Sequence, residues 1–223
     1  MNIRHTLQKC LTPLPRCLMD RLMALNYRLH WLGKRGVEHE RYFEKYQTRS
    51  GIIEVVRQWL VANPRSEIRV LEFGCSGGNN LRLMREMLPV PVSFVGFDIQ
   101  AHAISFAQRM FPDDQFIVGD DHKLLAMEKE LGTFDLFIAS GVFSYIPENR
   151  CQAVLACSAR LADYLLVCDI LCRLREASGI KGAFHHPYLR LCESAGLELY
   201  GDIIGSTTGH EYNTFMARSK MRS

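Results

Sequence analysis

The chain has 223 residues, of which 48% are hydrophobic and 23% charged, with a net charge of +3. That composition excludes a wholly disordered protein and leaves room for one domain with a short appendage, not two full domains. The charge is uneven: residues 1–35 hold seven basic side chains against one acid, Asp20, so the remainder of the chain is mildly acidic. A body that binds nucleic acid through a broad cationic face is thereby disfavoured.

The first predicted element is a helix over 16–32. Leu18, Leu22, Leu25, Leu29 and Leu32 fall along one helical stripe, Pro13 and Pro15 precede it, and Gly33 and Gly36 follow. Charged residues interrupt the apolar run, so the stretch is unsuited to span a bilayer or serve as a secretory signal. Three readings stay open for this basic amphipathic segment, 1–40. It packs on the domain and roofs a cleft, it lies on an anionic membrane surface, or it is a transit peptide or nucleic-acid arm. Tyr42, Phe43 and Tyr46 suit either a lid or packing beneath that helix.

Beyond residue 50, apolar runs alternate with helical patterns, which predicts α/β with a mainly parallel sheet. Strands are expected at 69–73, 92–97, 115–118, 134–139 and 164–169. Helices are expected at 51–61, 79–87, 101–110, 122–131 and 149–161. A short helix over 187–194 then precedes two apolar runs, 197–204 and 212–217. The close, glycine-rich link between them makes these antiparallel neighbours. Dinucleotide-binding domains normally close with a further parallel strand, so this ending argues against that class.

The most informative stretch is Glu72-Phe73-Gly74-Cys75-Ser76-Gly77-Gly78, a buried strand running into a glycine turn and then a helix. The spacing of Gly74, Gly77 and Gly78 fits neither the dinucleotide fingerprint nor a P-loop. Glu72 near the end of the first strand suits a ligand carrying a cation. Asp98, ending the second strand, can accept both hydroxyls of a ribose. Asp120 and Asp121 follow the third strand, in position to accept from an adenine amine. Three successive strands thus deliver acids to one sheet edge, where open α/β folds bind ligands.

With those residues in view, the chain from about 42 to 217 resembles the class I S-adenosylmethionine (SAM) dependent methyltransferases. Glu72, Gly74 and Gly78 match the family's first motif, E/D-x-G-x-G-x-G, with Ser76 where the middle glycine usually stands. The resemblance implies a Rossmann-like three-layer α/β/α sandwich, a seven-stranded mostly parallel sheet ending in an antiparallel hairpin, with the methyltransferase domain spanning 41–223. It also implies SAM as cofactor. Asp98 would hold the ribose diol and Ile99 would lie beside the adenine. Asp120 would bind the adenine amine with the Asp121 backbone next to it, and Ser140 and Gly141 would face the methionine end.

The acceptor is less legible. The Ser140-Gly141-Val142-Phe143 run after the fourth strand is not the N/D-P-P-Y/F of amino-methylating nucleic-acid enzymes, and none of the eight cysteines follows a proline. A small-molecule acceptor is therefore expected, with methyl transfer to oxygen or nitrogen, including a sugar or lipid-linked precursor. Tyr145 and His185 are the candidate catalytic residues, His185 as a general base near neutrality. Pro147 and Glu148 read equally as a helix start, and His186 as a helix N-cap. The cysteines lack zinc spacing and read as reduced, buried thiols in a cytoplasmic protein, which argues against a metal site. Peripheral membrane contact through the N-terminal helix stays open. Two alternatives remain, an RNA methyltransferase using the basic arm and a non-catalytic SAM-binding module.

Overall fold

The computed structural model describes residues 16–32, 43, 51–170, 184, 186–205 and 212–222. In chain order these form α1 (Arg16–Leu32), α2 (Ile52–Ala62), β1 (Ile68–Phe73), α3 (Asn79–Met87), β2 (Val92–Asp98), α4 (Ala101–Met110) and β3 (Gln115–Val118). They continue through α5 (Asp121–Leu131), β4 (Phe134–Ser140), a 3-10 turn (Phe143–Tyr145), α6 (Glu148–Leu161), β5 (Ala162–Ile170), α7 (Tyr188–Ser194), β6 (Leu197–Gly205) and β7 (Tyr212–Ser219).

The strands build one seven-stranded sheet in the order β3-β2-β1-β4-β5-β7-β6. Strands β1 to β5 pair in parallel, while β7 runs antiparallel to both β5 and β6. The expected sandwich with its terminal antiparallel hairpin is borne out. Chain order reverses between β1 and β4, where β1 has β2 on one side and β4 on the other. That is the switch point at which open α/β sheets leave a crevice.

Why these segments are near-continuous apolar runs follows from the layers. Alternate residues of one strand enter opposite cores. Leu71 and Phe73 of β1, with Phe137 and Ala139 of β4, pack with Leu124, Val154 and Leu191 from α5, α6 and α7. Ile68 and Val70, with Leu136 and Ile138, pack instead with Trp59, Leu81 and Ile104 from α2, α3 and α4. A sheet covered on both faces selects apolar side chains at every position, and periodicity of two disappears.

Phe43 is buried with its ring against Phe106 and Phe111, at centroid distances of 5.1 and 6.1 Å, so it packs rather than lids the crevice. Tyr42 and Tyr46 lie outside the described residues. Pro147 is the N-cap of α6 and Glu148 its first residue, so both do serve as a helix start.

Leu136 sits at the centre of this arrangement, fully buried on the strand between β1 and β5. Leu136→Ala is expected to lower the unfolding free energy by about 2–5 kcal/mol in urea titration, the cost of a large-to-small change in a packed core.

Candidate functional site

The first site element is the turn after β1. Gly74 (φ 85°) and Gly78 (φ 83°) occupy the left-handed region, and Ser76 joins them at φ 50°. A Cβ on Gly74 would lie 2.9 Å from the Val142 Cβ, so glycine there lets the loop after β1 close against the loop after β4. Hydrogen bonds from the amides of Gly74 and Cys75 to the Phe97 carbonyl, at 2.8 and 2.9 Å, tie the same turn to β2. Three strand ends are thereby drawn around one cavity.

That cavity holds about 430 Å³. Its floor carries Glu72, Gly74, Ser76, Asp98, Ile99, Asp120, Asp121, Ser140 and Gly141, all lining one space. The sequence-predicted cofactor residues are thus brought together, with the exception of Gly78. That glycine is the N-cap of α3, and a Cβ on it would strike the Phe111 ring at 2.8 Å. It shapes the turn from behind.

The carboxylates differ in how they are held. Asp98 accepts from the Ser76 and Gln100 amides, both at 2.9 Å, which fixes its orientation toward the glycine turn. Burial raises its pKa, and the amides of Gln100, Ser76 and Ile99 offset that only partly. Glu72 is deeper. Burial pushes its carboxyl up to about 8, against a hydrogen bond from Asn80 at 2.6 Å and with the neighbouring Asp98 charge adding to the rise. Its Oε2 and the Oδ1 of neighbouring Asn79 are buried without a partner among the described residues.

Asp120 and Asp121 are engaged within the chain. Asp120 caps α5 by accepting from the Lys123 amide at 3.2 Å, and its other oxygen meets the Arg28 guanidinium at 2.6 Å. Burial raises the Asp120 carboxyl, but the Lys123 amide and Arg28 together hold it below its ordinary value. Asp121 is buried and paired with Arg150. An adenine amine here would share Asp120 with an arginine that the motif does not reveal.

A roof completes the cavity. Ala24, Tyr27, Arg28 and Trp31 of α1 line it, and the Trp31 carbonyl accepts from the Gln100 side chain. Tyr145, on the 3-10 turn, faces this roof, with its ring 5.4 Å from Tyr27 and 5.2 Å from Trp31. Phe184 joins the cluster, 6.1 Å from Tyr27. Of the open readings of the N-terminal segment, the cleft-roofing one matches where α1 lies. The contributions of Tyr27, Trp31, Gln100 and Arg150 were not foreseen, because they arise from tertiary packing rather than from spacing.

His185 lies outside the described residues. His186 is a correction: the N-cap of α7 is Pro187, and His186 Nε2 instead sits 2.9 Å from the Phe143 carbonyl and 3.1 Å from that of Ile146. It anchors the turn carrying Tyr145. Burial holds the imidazole below its usual pKa, partly offset by those two carbonyls. Among the described residues, no group of three or more His, Cys, Asp and Glu side chains is arranged for a metal ion.

SAM, the cofactor that the class I resemblance implies, can be tested against these groups. It offers ribose hydroxyls to a carboxylate fixed at a strand end, and an ammonium to two buried oxygens that have no partner among the described residues. The orphaned atoms of Glu72 and Asn79 beside the glycine turn meet that requirement, and Asp98 meets the first. The residues fit the group.

Comparison with known proteins agrees. Residues 70–163 match the model of a family described as "Methyltransferase domain". Over that segment, a little over two fifths of the chain, the sequence is similar to methyltransferase domains. Similar solved structures include the magnesium protoporphyrin IX methyltransferase of Synechocystis PCC 6803 with bound S-adenosylhomocysteine, at 16% identity and a TM-score of 0.65. That likeness covers 89% of this chain and 100% of the other. A TehB-like SAM-dependent methyltransferase from Corynebacterium glutamicum, at 19% identity and TM-score 0.57, covers 83% and 100% respectively. The [4+2]-cyclase SpnF is also similar, at 13% identity and TM-score 0.56, over 74% of this chain and 80% of that one. At these identities the likeness shows the class I methyltransferase fold. No curated protein matches the sequence.

The buried Glu72 yields a pH test on the ligand-free protein. Its carboxyl ionises near 4.5 when solvated and at about 8 in the fold, so the folded state holds the extra proton between those values. Stability from this group is present below pH 4.5 and is lost as pH rises toward 8, with a slope approaching about 1.4 kcal/mol per pH unit. Glu72→Gln should remove that slope in urea titrations at pH 5 to 8. An unchanged slope would place the ionisation elsewhere.

Proposed function

We propose that this chain is a SAM-dependent methyltransferase acting on oxygen or nitrogen of a small molecule, with sugars and lipid-linked precursors as acceptor classes. The carrying observation is the pair of partnerless buried oxygens, on Glu72 and Asn79, placed one strand away from an amide-anchored Asp98. Such a pair suits a ligand that brings hydrogen-bond donors, and SAM joins an ammonium to a ribose.

Bound there, SAM supplies a methyl group activated by a sulfonium sulfur. The chain's task is then alignment and exclusion of water, for which orientation alone can contribute about 7–11 kcal/mol. Asp98 holds the ribose end, Glu72 and Asn79 the amino-acid end, and Ser140 and Gly141 border the space between. Tyr27, Trp31 and Tyr145 close the mouth with aromatic rings, which keeps bulk water from the methyl group and gives a flat acceptor a surface to pack on. Tyr145 is the candidate to take a proton from a hydroxyl acceptor. An amine acceptor needs only to arrive neutral.

A second reading, a SAM-binding module without methyl transfer, is supported by the similarity to a cyclase of the same fold. Turnover separates the two. Incubation with SAM and a panel of acceptors should release S-adenosylhomocysteine under the first reading and none under the second.

Calorimetry tests the cofactor site directly. Wild-type protein should bind SAM, and Asp98→Ala should weaken binding about ten- to a hundred-fold, as expected for hydrogen bonds to a charged group. Wild-type affinity in Asp98→Ala would overturn the site as drawn. Once an acceptor is found, Tyr145→Phe should lower kcat about 100-fold if the phenol moves a proton, with SAM affinity unchanged. Retained kcat would assign Tyr145 to packing alone.

A further inference from the structure

Helix α1 has two apolar faces, and the cavity uses only one. At about 100° per residue, Ala24, Tyr27 and Trp31 point to one side, the side that lines the site. Leu18, Leu22, Leu25, Leu29 and Leu32 gather within roughly 80° on the opposite side. All five are open to solvent, between 37% and 60% exposed. A packed helix would bury its leucine stripe and expose its polar side, so this helix sits with its stronger apolar face outward. Five leucines in one line form a contiguous patch of the kind that marks an interaction surface.

Charge decides which partner fits. Arg21 and Arg28 each precede a leucine of the stripe, at Leu22 and Leu29, and so border it along one edge. Arg28 also reaches Asp120, with its side chain half exposed. Asn26 borders the other edge, and Asp20, the helix's single acid, lies away from the stripe on the half-buried side. A second copy of α1 laid along the leucines would therefore set arginine against asparagine or arginine, with no acid to compensate. The 17-residue helix also offers fewer than three heptads, short for a coiled coil. An anionic lipid surface satisfies both features at once, taking leucines into the acyl boundary and arginines among the headgroups. The seven basic residues among the first 35 add to that attraction. No helix among the described residues is long and apolar enough to cross a membrane, so the mode is adsorption.

We propose that the leucine face of α1 docks on an anionic bilayer, with the helix lying in the interface plane while its aromatic face closes the site. The cavity mouth then opens beside the lipid, within reach of an acceptor carried in the membrane. This deepens the lipid-linked branch of the function above. The docking itself rests only on the α1 surface, so SAM binding reports on the other reading independently.

The test uses the full chain in flotation with two vesicle types, phosphatidylcholine with a minority of phosphatidylglycerol, and phosphatidylcholine alone. Wild type should float with the anionic vesicles and remain behind with the neutral ones. The double variant Leu25→Gln, Leu29→Gln should lose at least about ten-fold in partitioning, since two exposed leucines no longer enter the lipid. Arg21→Gln should lose about five-fold, the factor for one basic side chain near an anionic surface. Calorimetry with SAM should be unchanged in all three proteins, which shows that the variants are folded. Equal flotation of wild type and the double variant, or none by wild type, overturns the proposal. So does a wild-type dimer in light scattering that the double variant abolishes, because a second copy would then cover the leucines.

Discussion

Two acids in one crevice are the constraint around which this molecule is organised. Glu72 and Asp98 leave adjacent parallel strands at the same edge, and both line the cavity beside the glycine turn. Two carboxylates so placed cannot both ionise cheaply, which is why burial and mutual repulsion raise Glu72 toward neutral pH. A ligand that brings positive charge favours the ionised carboxylate and would draw the Glu72 pKa back down. The site is poised for a cation by its own electrostatics, before any family likeness is considered.

The same crevice explains what could be read from the residues. Runs of apolar residues ending in an acid, three times over, mark the strands and the edge at which they deliver those acids, because a strand buried on both faces has no other place for a charge. Hence Glu72, Asp98 and Asp120 were locatable from position alone, and the hairpin from its glycine-rich link. Ser76 was legible as a small-residue substitute, and its left-handed backbone shows that the turn keeps its shape without a glycine there. Burial at Asn79 and Asn80 was less so, since asparagine at a helix start ordinarily reads as a cap. Here it serves the carboxylate of Glu72 and the cavity instead.

What stayed hidden shares one cause: contacts between segments far apart in sequence. The partnership of Arg28 with Asp120 spans 92 residues and joins the roof to the floor. His186 grips the 3-10 turn from 43 residues away and so sets where Tyr145 stands. The N-cap expectation for His186 failed because Pro187 already occupies that position, leaving the imidazole free to satisfy carbonyls of a tight turn that helix and strand ladders cannot reach. The leucine stripe was visible as a pattern, yet its direction was not. Periodicity tells that a helix has an apolar face, not which way the rest of the fold turns it.

That direction bears on specificity. The floor of the cavity is built from strand ends, whose positions are fixed by seven hydrogen-bonded strands, and under the proposed function it would recognise groups that any SAM-like ligand shares. The mouth is built from α1 and the 3-10 turn, where the contacts include ring packing, the Gln100 side chain and the Arg28–Asp120 pair. Under the proposed function, an acceptor entering past these side chains would be chosen at the mouth and not at the strand ends. A helix whose leucine face is exposed gains a second support when that face is covered. Adsorbed on lipid, α1 would lose freedom once and serve two purposes, ordering the aromatic mouth and bringing it to the phase in which an apolar acceptor is concentrated.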